Sequence, residues 1–399
     1  MGFGGAGPCY VRTMTLPWLS PNPRADRRAP YGPAQRAVID PSGLDELAAT
    51  MARCPLHAPT PLLALPALAA RWGLGDLRIK DESKRFGFGA FKALGGVLAV
   101  YGELASAIDE ADHRQTSFDA VLAGDGADVT ADMVFATASS GNHGRAVAAG
   151  ARLFGRRCVV FLPAFTDAAK EAAIRARGAE VIRVAGDYDA AVAECRRRSA
   201  AEGWTVVSDT SWEGYERAPV RVMRGYSLIA EEMLATQWPE GPTHLFVQAG
   251  VGGLAAAMIG MLWAALPRRP LSIVVEPETA DCWFQSNRAG QPTLASGDAT
   301  TAMGGLACRE ISPVTWPIIG LGADWFMTIR EGDAVAARRL LARPDGGDPA
   351  LAAGFSGAAG LAGLMRAATE PEARRALGLD GDARILLINS EGDLGAPPV

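Results

Sequence analysis

The sequence predicts an α/β fold built on parallel sheets that helices cover on both faces. Two observations carry this expectation. From about residue 76 onward, short β-rich runs alternate with Ala-rich helical stretches, the pattern of βαβ units. Runs such as Cys158-Val159-Val160-Phe161-Leu162 are apolar without interruption, as strands buried on both sides must be. No internal repeat of fixed period points to a solenoid instead.

The elements follow in order. A strand is expected at 77–80, and a charged, Gly-containing turn leads from it to a helix at 91–104. A strand at 133–136 passes through a Ser/Gly loop into a helix at 144–153. Strands at 158–162 and 180–184 bracket a helix at 168–176, and a helix at 188–201 precedes a strand at 205–208. The C-terminal half offers a helix at 220–234 and strands at 245–248, 272–276 and 385–389. The stretches 105–130 and 343–349 are polar and rich in Asp, Gly or Ser, and are expected as surface loops. Residues 1 to about 31 carry Gly, Pro and Arg without an apolar h-region, so they read as a surface-draped arm rather than a secretory signal.

One segment tests the soluble reading. Residues 249–266 run for 18 positions without a charge, the lower limit for a membrane span. The strand-like Leu245-Phe246-Val247 and the turn Gly250-Val251-Gly252-Gly253 at its front instead predict strand, glycine loop and buried helix.

At 399 residues the chain has material for two or three domain-sized units. Apolar residues at 49% against charged residues at 21% exclude a disordered chain. A net charge of −5 with mixed signs gives no footprint for nucleic acid. The six cysteines show neither C-x-x-C metal spacing nor the density of a secreted disulfide scaffold, so a reducing cytoplasm and no metal centre are expected. Of 39 basic side chains only Lys80, Lys84, Lys92 and Lys170 are lysines. Any chemistry that requires a lysine amine must choose among these four.

Lys92 is distinguished by its position. It opens an Ala/Leu helix after Phe91, where the helix dipole disfavours a cation by some tenths to about 1 kcal/mol. That penalty vanishes if the amine is neutral or bound as an imine. A second segment, Ser139-Ser140-Gly141-Asn142-His143-Gly144, joins a strand to a helix with more polar and glycine residues than a cap needs. Its backbone N–H groups, hydroxyls and amide form a nest suited to a carboxylate.

A third segment, Gln248-Ala249-Gly250-Val251-Gly252-Gly253, is a strand, glycine turn and helix start that can cradle a phosphate. No Lys-Ser/Thr follows it as in a P-loop. Glu276, 23 residues beyond Gly253, is the one acidic candidate for an NAD ribose. Last, Ser390 ends the final strand, where a hydroxyl could bond a heterocycle nitrogen; alone it would be an ordinary strand end.

A lysine amine, a carboxylate nest, a phosphate cradle and a late hydroxyl together are what pyridoxal phosphate chemistry needs. At this point the chain resembles the fold type II (tryptophan synthase β-like) pyridoxal-phosphate enzymes, and among them the diaminopropionate ammonia-lyases. The resemblance runs from about Pro59 to Asp393. It rests on Pro59-Thr60-Pro61-Leu62, the 80–96 segment, Gly141-Asn142-His143-Gly144-Arg145, Asp209-Thr210-Ser211-Trp212-Glu213-Gly214-Tyr215 and residues 248–252. It also rests on Glu276-Pro277 with Ala280-Asp281-Cys282, Gly305-Leu306-Ala307-Cys308, and Ser390-Glu391-Gly392-Asp393.

The resemblance implies two parallel-sheet domains with the site between them: residues 1–50 an N-terminal arm, 51–90 with 202–399 the larger cofactor-binding domain, and 91–201 the smaller. It implies pyridoxal 5′-phosphate on the Schiff-base lysine Lys92, which is also the base on the L face, with Phe91 beside it. Asn142 would touch the ring 3-oxygen, Gly250, Val251, Gly252 and Gly253 would hold phosphate, and Ser390 would face the pyridine nitrogen. Ser139, Ser140, Gly141, His143, Asp209 and Phe355 would line the substrate, with Asp209 and Ser140 at catalytic positions. The implied reaction is α,β-elimination of 2,3-diaminopropionate to pyruvate and two ammonia molecules, by a homodimer.

Three positions depart from the family pattern. Ser140 stands where that pattern has an Asp placed to take the α-proton of the D-isomer, and a serine hydroxyl is a poor base without an activating partner. Preference for L-substrates is therefore expected. Phe355 replaces a Glu, and Leu394-Gly395 replaces Thr-Asp, each removing polarity near the ring. These changes leave other leaving groups open: L-serine or L-threonine dehydration, β-replacement, or retention of the fold without turnover. Cys282 and Cys308 both fall beside the expected site and are expected as small buried residues rather than a disulfide.

Overall fold

The computed structural model describes residues 16–139, 141–236, 238, 240–344 and 346–393. Ser140, Leu394 and Gly395 therefore lie outside the described residues.

Among the described residues eleven strands form two sheets. In chain order they are β1 (Leu19–Pro21), β2 (Leu62–Ala64), β3 (Asp76–Asp81), β4 (Val134–Ala138), β5 (Arg157–Pro163), β6 (Glu180–Val184), β7 (Thr205–Val206), β8 (His244–Gln248), β9 (Leu271–Pro277), β10 (Trp325–Ile329) and β11 (Arg384–Asn389). The larger sheet has the order β1-β10-β9-β8-β11-β3-β2, the smaller β6-β5-β4-β7. Every pairing is parallel except the two outer ones of the large sheet, β1 on β10 and β2 on β3.

All eight expected strands are present, and β1, β2 and β10 are additional. Part of the N-terminal arm thus becomes an edge strand, with Leu19 opposite Met327. The expectation of loops over 105–130 is corrected. The helix Lys92–Asp112 runs through its first eight residues, and the short helices Phe118–Leu122 and Ala127–Thr130 follow. The apolar face of that segment explains this, since Leu104, Ala105, Ile108, Phe118 and Val121 are all buried. In the 343–349 stretch, Asp348 is buried and accepts from the backbone N–H groups of Ala67 and Leu68, which caps the helix Pro66–Arg71 rather than facing solvent. The apolar segment after β8 is the buried helix Gly253–Ala265, and no described helix is long and apolar enough to cross a membrane.

Close packing of three helices sets the site. A Cβ on Gly95 would come within 2.6 Å of the Tyr226 ring, and one on Gly96 within 2.6 Å of Ala146. The two glycines let the helix Lys92–Asp112 lie directly against the helices Arg217–Leu234 and Asn142–Leu153, so the head of the first helix is pinned beside both.

Upstream of Lys92 the chain is held by a buried ionic network. Arg85 donates to both carboxylate oxygens of Glu82 at 2.7 and 2.9 Å and of Glu232 at 2.7 Å each. Lys80 reaches Glu232 at 2.5 Å and also bonds the carbonyl and hydroxyl of Thr60. Removing one partner of such a pair strands a buried charge. Arg85→Met is expected to lower stability by about 3–5 kcal/mol, read as the denaturant midpoint and slope in reversible unfolding.

Candidate active site

Of the four lysines, Lys80 is fully buried and committed to Glu232, and Lys84 and Lys170 are exposed. Lys92 opens its helix with a side chain 16% exposed, its amine 2.5 Å from Asp209 Oδ2. Burial alone would disfavour the ammonium, but the Asp209 carboxylate outweighs it and holds Lys92 above the ordinary lysine range. Burial likewise works against the Asp209 carboxylate, yet the Lys92 charge and hydrogen bond keep it ionised well below the usual range.

His143 donates or accepts through Nε2 at 2.9 Å from the Val207 carbonyl; a carbonyl only accepts, so Nε2 carries the proton. Its Nδ1, unpartnered among the described residues, then faces Asp209 Oδ2 at 3.9 Å. Burial lowers the imidazole pKa, which keeps the ring neutral. His143 thus lies behind Asp209, on the protein side of the carboxylate.

Two strand ends and two loops converge on Lys92. At the end of β4, Ser139 Oγ accepts from Gly141 N at 3.3 Å, and a Cβ on Gly144 would meet the Ser139 carbonyl at 2.4 Å. This tight turn starts the helix Asn142–Leu153 and brings Asn142 to Glu391, its amide donating at 2.6 Å. The Asn142 carbonyl oxygen takes Arg145 at 3.2 Å. At the end of β11 the backbone pairs with the segment before Lys92: Phe91 N donates to the Ser390 carbonyl at 3.1 Å and Gly392 N to Gly89 at 2.8 Å. Ser390 Oγ accepts from the Gln248 amide at 2.9 Å, which leaves its own proton free for an acceptor.

The glycine turn after β8 is shaped by close neighbours. Gly252 has φ +105°, and a Cβ there would sit 2.4 Å from Trp283. A Cβ on Gly250 would meet the Gly305 carbonyl and Cys308 Sγ at 2.9 and 3.0 Å. The carbonyls of Gly250 and Val251 are tied back by Trp283 Nε1 and Ser312 N, both at 2.9 Å. What the turn presents is therefore the N–H groups at the head of the helix Gly253–Ala265, which lack intrahelical acceptors.

Glu276 is not free for a ribose. It is fully buried and accepts from Trp283 N and Phe284 N at 2.8 Å, so the NAD alternative loses its acidic residue. Cys282 and Cys308 are free thiols on either side of Gly250. Among the described residues no cluster of His, Cys, Asp and Glu could hold a metal. Phe355 begins the helix Phe355–Thr369 one residue before Ser356, and the Arg338 guanidinium lies 4.2 Å over its ring.

Sequence reasoning missed four side chains of this neighbourhood. Glu391 receives Asn142, with burial raising its carboxyl pKa, and Gln248 orients Ser390. Tyr188 starts the helix Tyr188–Glu202, and Tyr226 lies on the helix Arg217–Leu234. Glu391 and Gln248 sat inside motifs already singled out; Tyr226 carried no local signal, because only the packing of three helices brings it near.

A protein-family model described as pyridoxal-phosphate dependent enzyme matches residues 54–391. Diaminopropionate ammonia-lyase of Escherichia coli strain K12 is 38% identical over 343 residues, 84% of this chain and 85% of that one. The protein of that name from Salmonella typhimurium strain LT2 is 38% identical over 379 residues, 92% and 93% of the two chains. The crystal structure of selenomethionine-incorporated holo diaminopropionate ammonia lyase from Escherichia coli superposes with a TM-score of 0.85 at 34% identity, over 94% of each chain. With a lysine amine, a hydroxyl held by a side-chain amide and a glycine cradle brought together inside a match of this extent, the chain belongs to the pyridoxal-phosphate dependent enzymes, in their fold type II architecture.

Proposed function

We propose that this enzyme is an ammonia-lyase that carries out α,β-elimination on a β-substituted L-amino acid, with 2,3-diaminopropionate and one water consumed and pyruvate and two ammonia molecules as products. The observation that carries this is the Lys92–Asp209 pair at 2.5 Å, set where the β4, β8 and β11 loops meet. The similarity to diaminopropionate ammonia-lyases over most of the chain supports the substrate.

The residues present fit the cofactor. Lys92 would hold its aldehyde, the N–H groups of Gly250 to Gly253 its phosphate, Asn142 its 3-oxygen and Ser390 its ring nitrogen. A hydroxyl, unlike a carboxylate, asks that nitrogen to stay an acceptor and therefore unprotonated. When bound, pyridoxal phosphate supplies an electron sink that acidifies the substrate α-carbon.

The protein's part follows from charge. Lys92, displaced by the substrate amine, is the base that takes the α-proton from the L face. Asp209 stabilises the ammonium that results, and His143 stays neutral behind it. An amine leaves only with a proton, and the Lys92 ammonium is the acid at hand to supply one. Asp209 itself stays too acidic to serve as that donor. The Ser139 hydroxyl and the N–H groups at the head of the helix Asn142–Leu153 would hold the substrate carboxylate.

Ser140 favours a second reading, in which the leaving group is hydroxyl and the enzyme is an L-serine or L-threonine dehydratase. Kinetics over matched L- and D-2,3-diaminopropionate, L-serine and L-threonine separate the two. We expect the L-diamine to have the highest kcat/KM, and the D-diamine to fall at least about 10²-fold below it, the scale of one missing general base. Equal rates on both isomers would overturn the role given to Ser140. We also propose a cytoplasmic homodimer. In this proposal the smaller domain also takes in β7 beyond residue 201, a reading supported by the pairing of Thr205–Val206 with β4.

A further inference from the structure

Tyr226 is 1% exposed, and its hydroxyl is buried without a hydrogen-bond partner among the described residues. Its surroundings show where that hydroxyl points. A Cβ on Gly95 would lie 2.6 Å from Tyr226 Cε1, and one on Gly253 would lie 3.3 Å from Cε2 and 3.6 Å from Cδ2. The ring is thus clasped at its hydroxyl end between the helix that Lys92 opens and the head of the thirteen-residue helix Gly253–Ala265. Phe91 packs edge-on at 4.6 Å between ring centroids and fixes the ring plane. Burial raises the phenol pKa, and the charges of Lys92 and Asp209 also act on it.

A buried hydroxyl left unbonded costs about 1–3 kcal/mol relative to a paired one. A phenylalanine would fill the same space without that cost. The helix head beside it presents unpaired N–H groups to an anion, and a phenol held protonated by burial is a donor of the same kind.

We propose that the Tyr226 hydroxyl is the side-chain donor to the phosphate of pyridoxal phosphate, completing the cradle that residues 250–253 form with backbone groups. This rests on the assignment of that turn as the phosphate seat. Tyr226 is accordingly a binding residue that discriminates the phosphorylated cofactor from its dephosphorylated form.

The test compares wild-type protein and Tyr226→Phe, each stripped of cofactor, in binding pyridoxal phosphate and pyridoxal, which differ only at the 5′ group. Affinity is read from the visible absorbance of the lysine-bound ligand. Loss of a hydrogen bond to a charged group corresponds to roughly 10–100-fold in affinity. We expect that loss for pyridoxal phosphate and less than about 2-fold change for pyridoxal, together with weaker protection by inorganic phosphate against pyridoxal phosphate uptake. The variant without cofactor should melt at the same temperature as wild type or higher, since an unmet hydroxyl has been removed. Unchanged affinity for pyridoxal phosphate, or an equal loss for both ligands, would overturn the role of Tyr226. Wild-type protein that binds pyridoxal as tightly as pyridoxal phosphate would overturn the phosphate seat itself, and this proposal with it.

Discussion

Lys92→Ala is expected to bind no cofactor covalently and to lose turnover by on the order of 10⁴-fold or more, as when a nucleophile or base is removed from a unit that acts together. No other lysine can substitute. Lys80 is locked to Glu232 and Thr60, and Lys84 and Lys170 face solvent. The variant should remain folded, because the side chain it removes is paired with Asp209, is 16% exposed and is no part of the apolar core. The measurement is the visible absorbance of the protein with added pyridoxal phosphate, followed by pyruvate release. Retained absorbance and turnover would overturn the assignment of Lys92.

Asp209→Asn is expected to separate attachment from catalysis. The carboxylate holds the Lys92 amine charged, against burial that favours the neutral form. With an amide in its place only burial remains, so the amine deprotonates at lower pH. The pH midpoint for covalent uptake of pyridoxal phosphate should therefore move down relative to wild type. Turnover should move the other way: without the carboxylate the Lys92 ammonium that must form after proton abstraction is unpaired, and kcat should fall about 10²–10⁴-fold. A stopped-flow pH series for uptake beside steady-state kcat tests both halves. If uptake slows and its midpoint rises, the electrostatic role given to Asp209 is wrong.

The parallel core was legible in the sequence because strands buried on both faces announce themselves as unbroken apolar runs, as Cys158-Val159-Val160-Phe161-Leu162 does in β5. The edges were not. β1 and β2 are three residues each, and both pair antiparallel at the margins of the sheet, where no apolar run is required. β10, Trp325-Phe326-Met327-Thr328-Ile329, had the composition of a strand and went unread between weak turn signals. The loop expectation over 105–130 failed because polar residues on the outer side of a helix hid the buried Leu104, Ile108, Phe118 and Val121 on its inner side.

The site was readable to the extent that its chemistry sits in contiguous turns. Lys92, Asn142, Gly250 to Gly253 and Ser390 each belong to a strand-to-helix junction or a strand end, and the parallel sheets bring those ends together. The neutral His143 behind Asp209, the Glu391 acceptor for Asn142 and the hydroxyl of Tyr226 depend on side-chain orientation across 50 to 250 positions of sequence, which spacing does not encode.

The central claim is that Lys92, paired with Asp209, drives elimination of a β-amino group. Its most direct test is the stoichiometry of products from L-2,3-diaminopropionate with purified protein and pyridoxal phosphate. The account predicts two ammonia molecules for each pyruvate. No 2-oxo acid, from protein that has visibly taken up the cofactor, would contradict it.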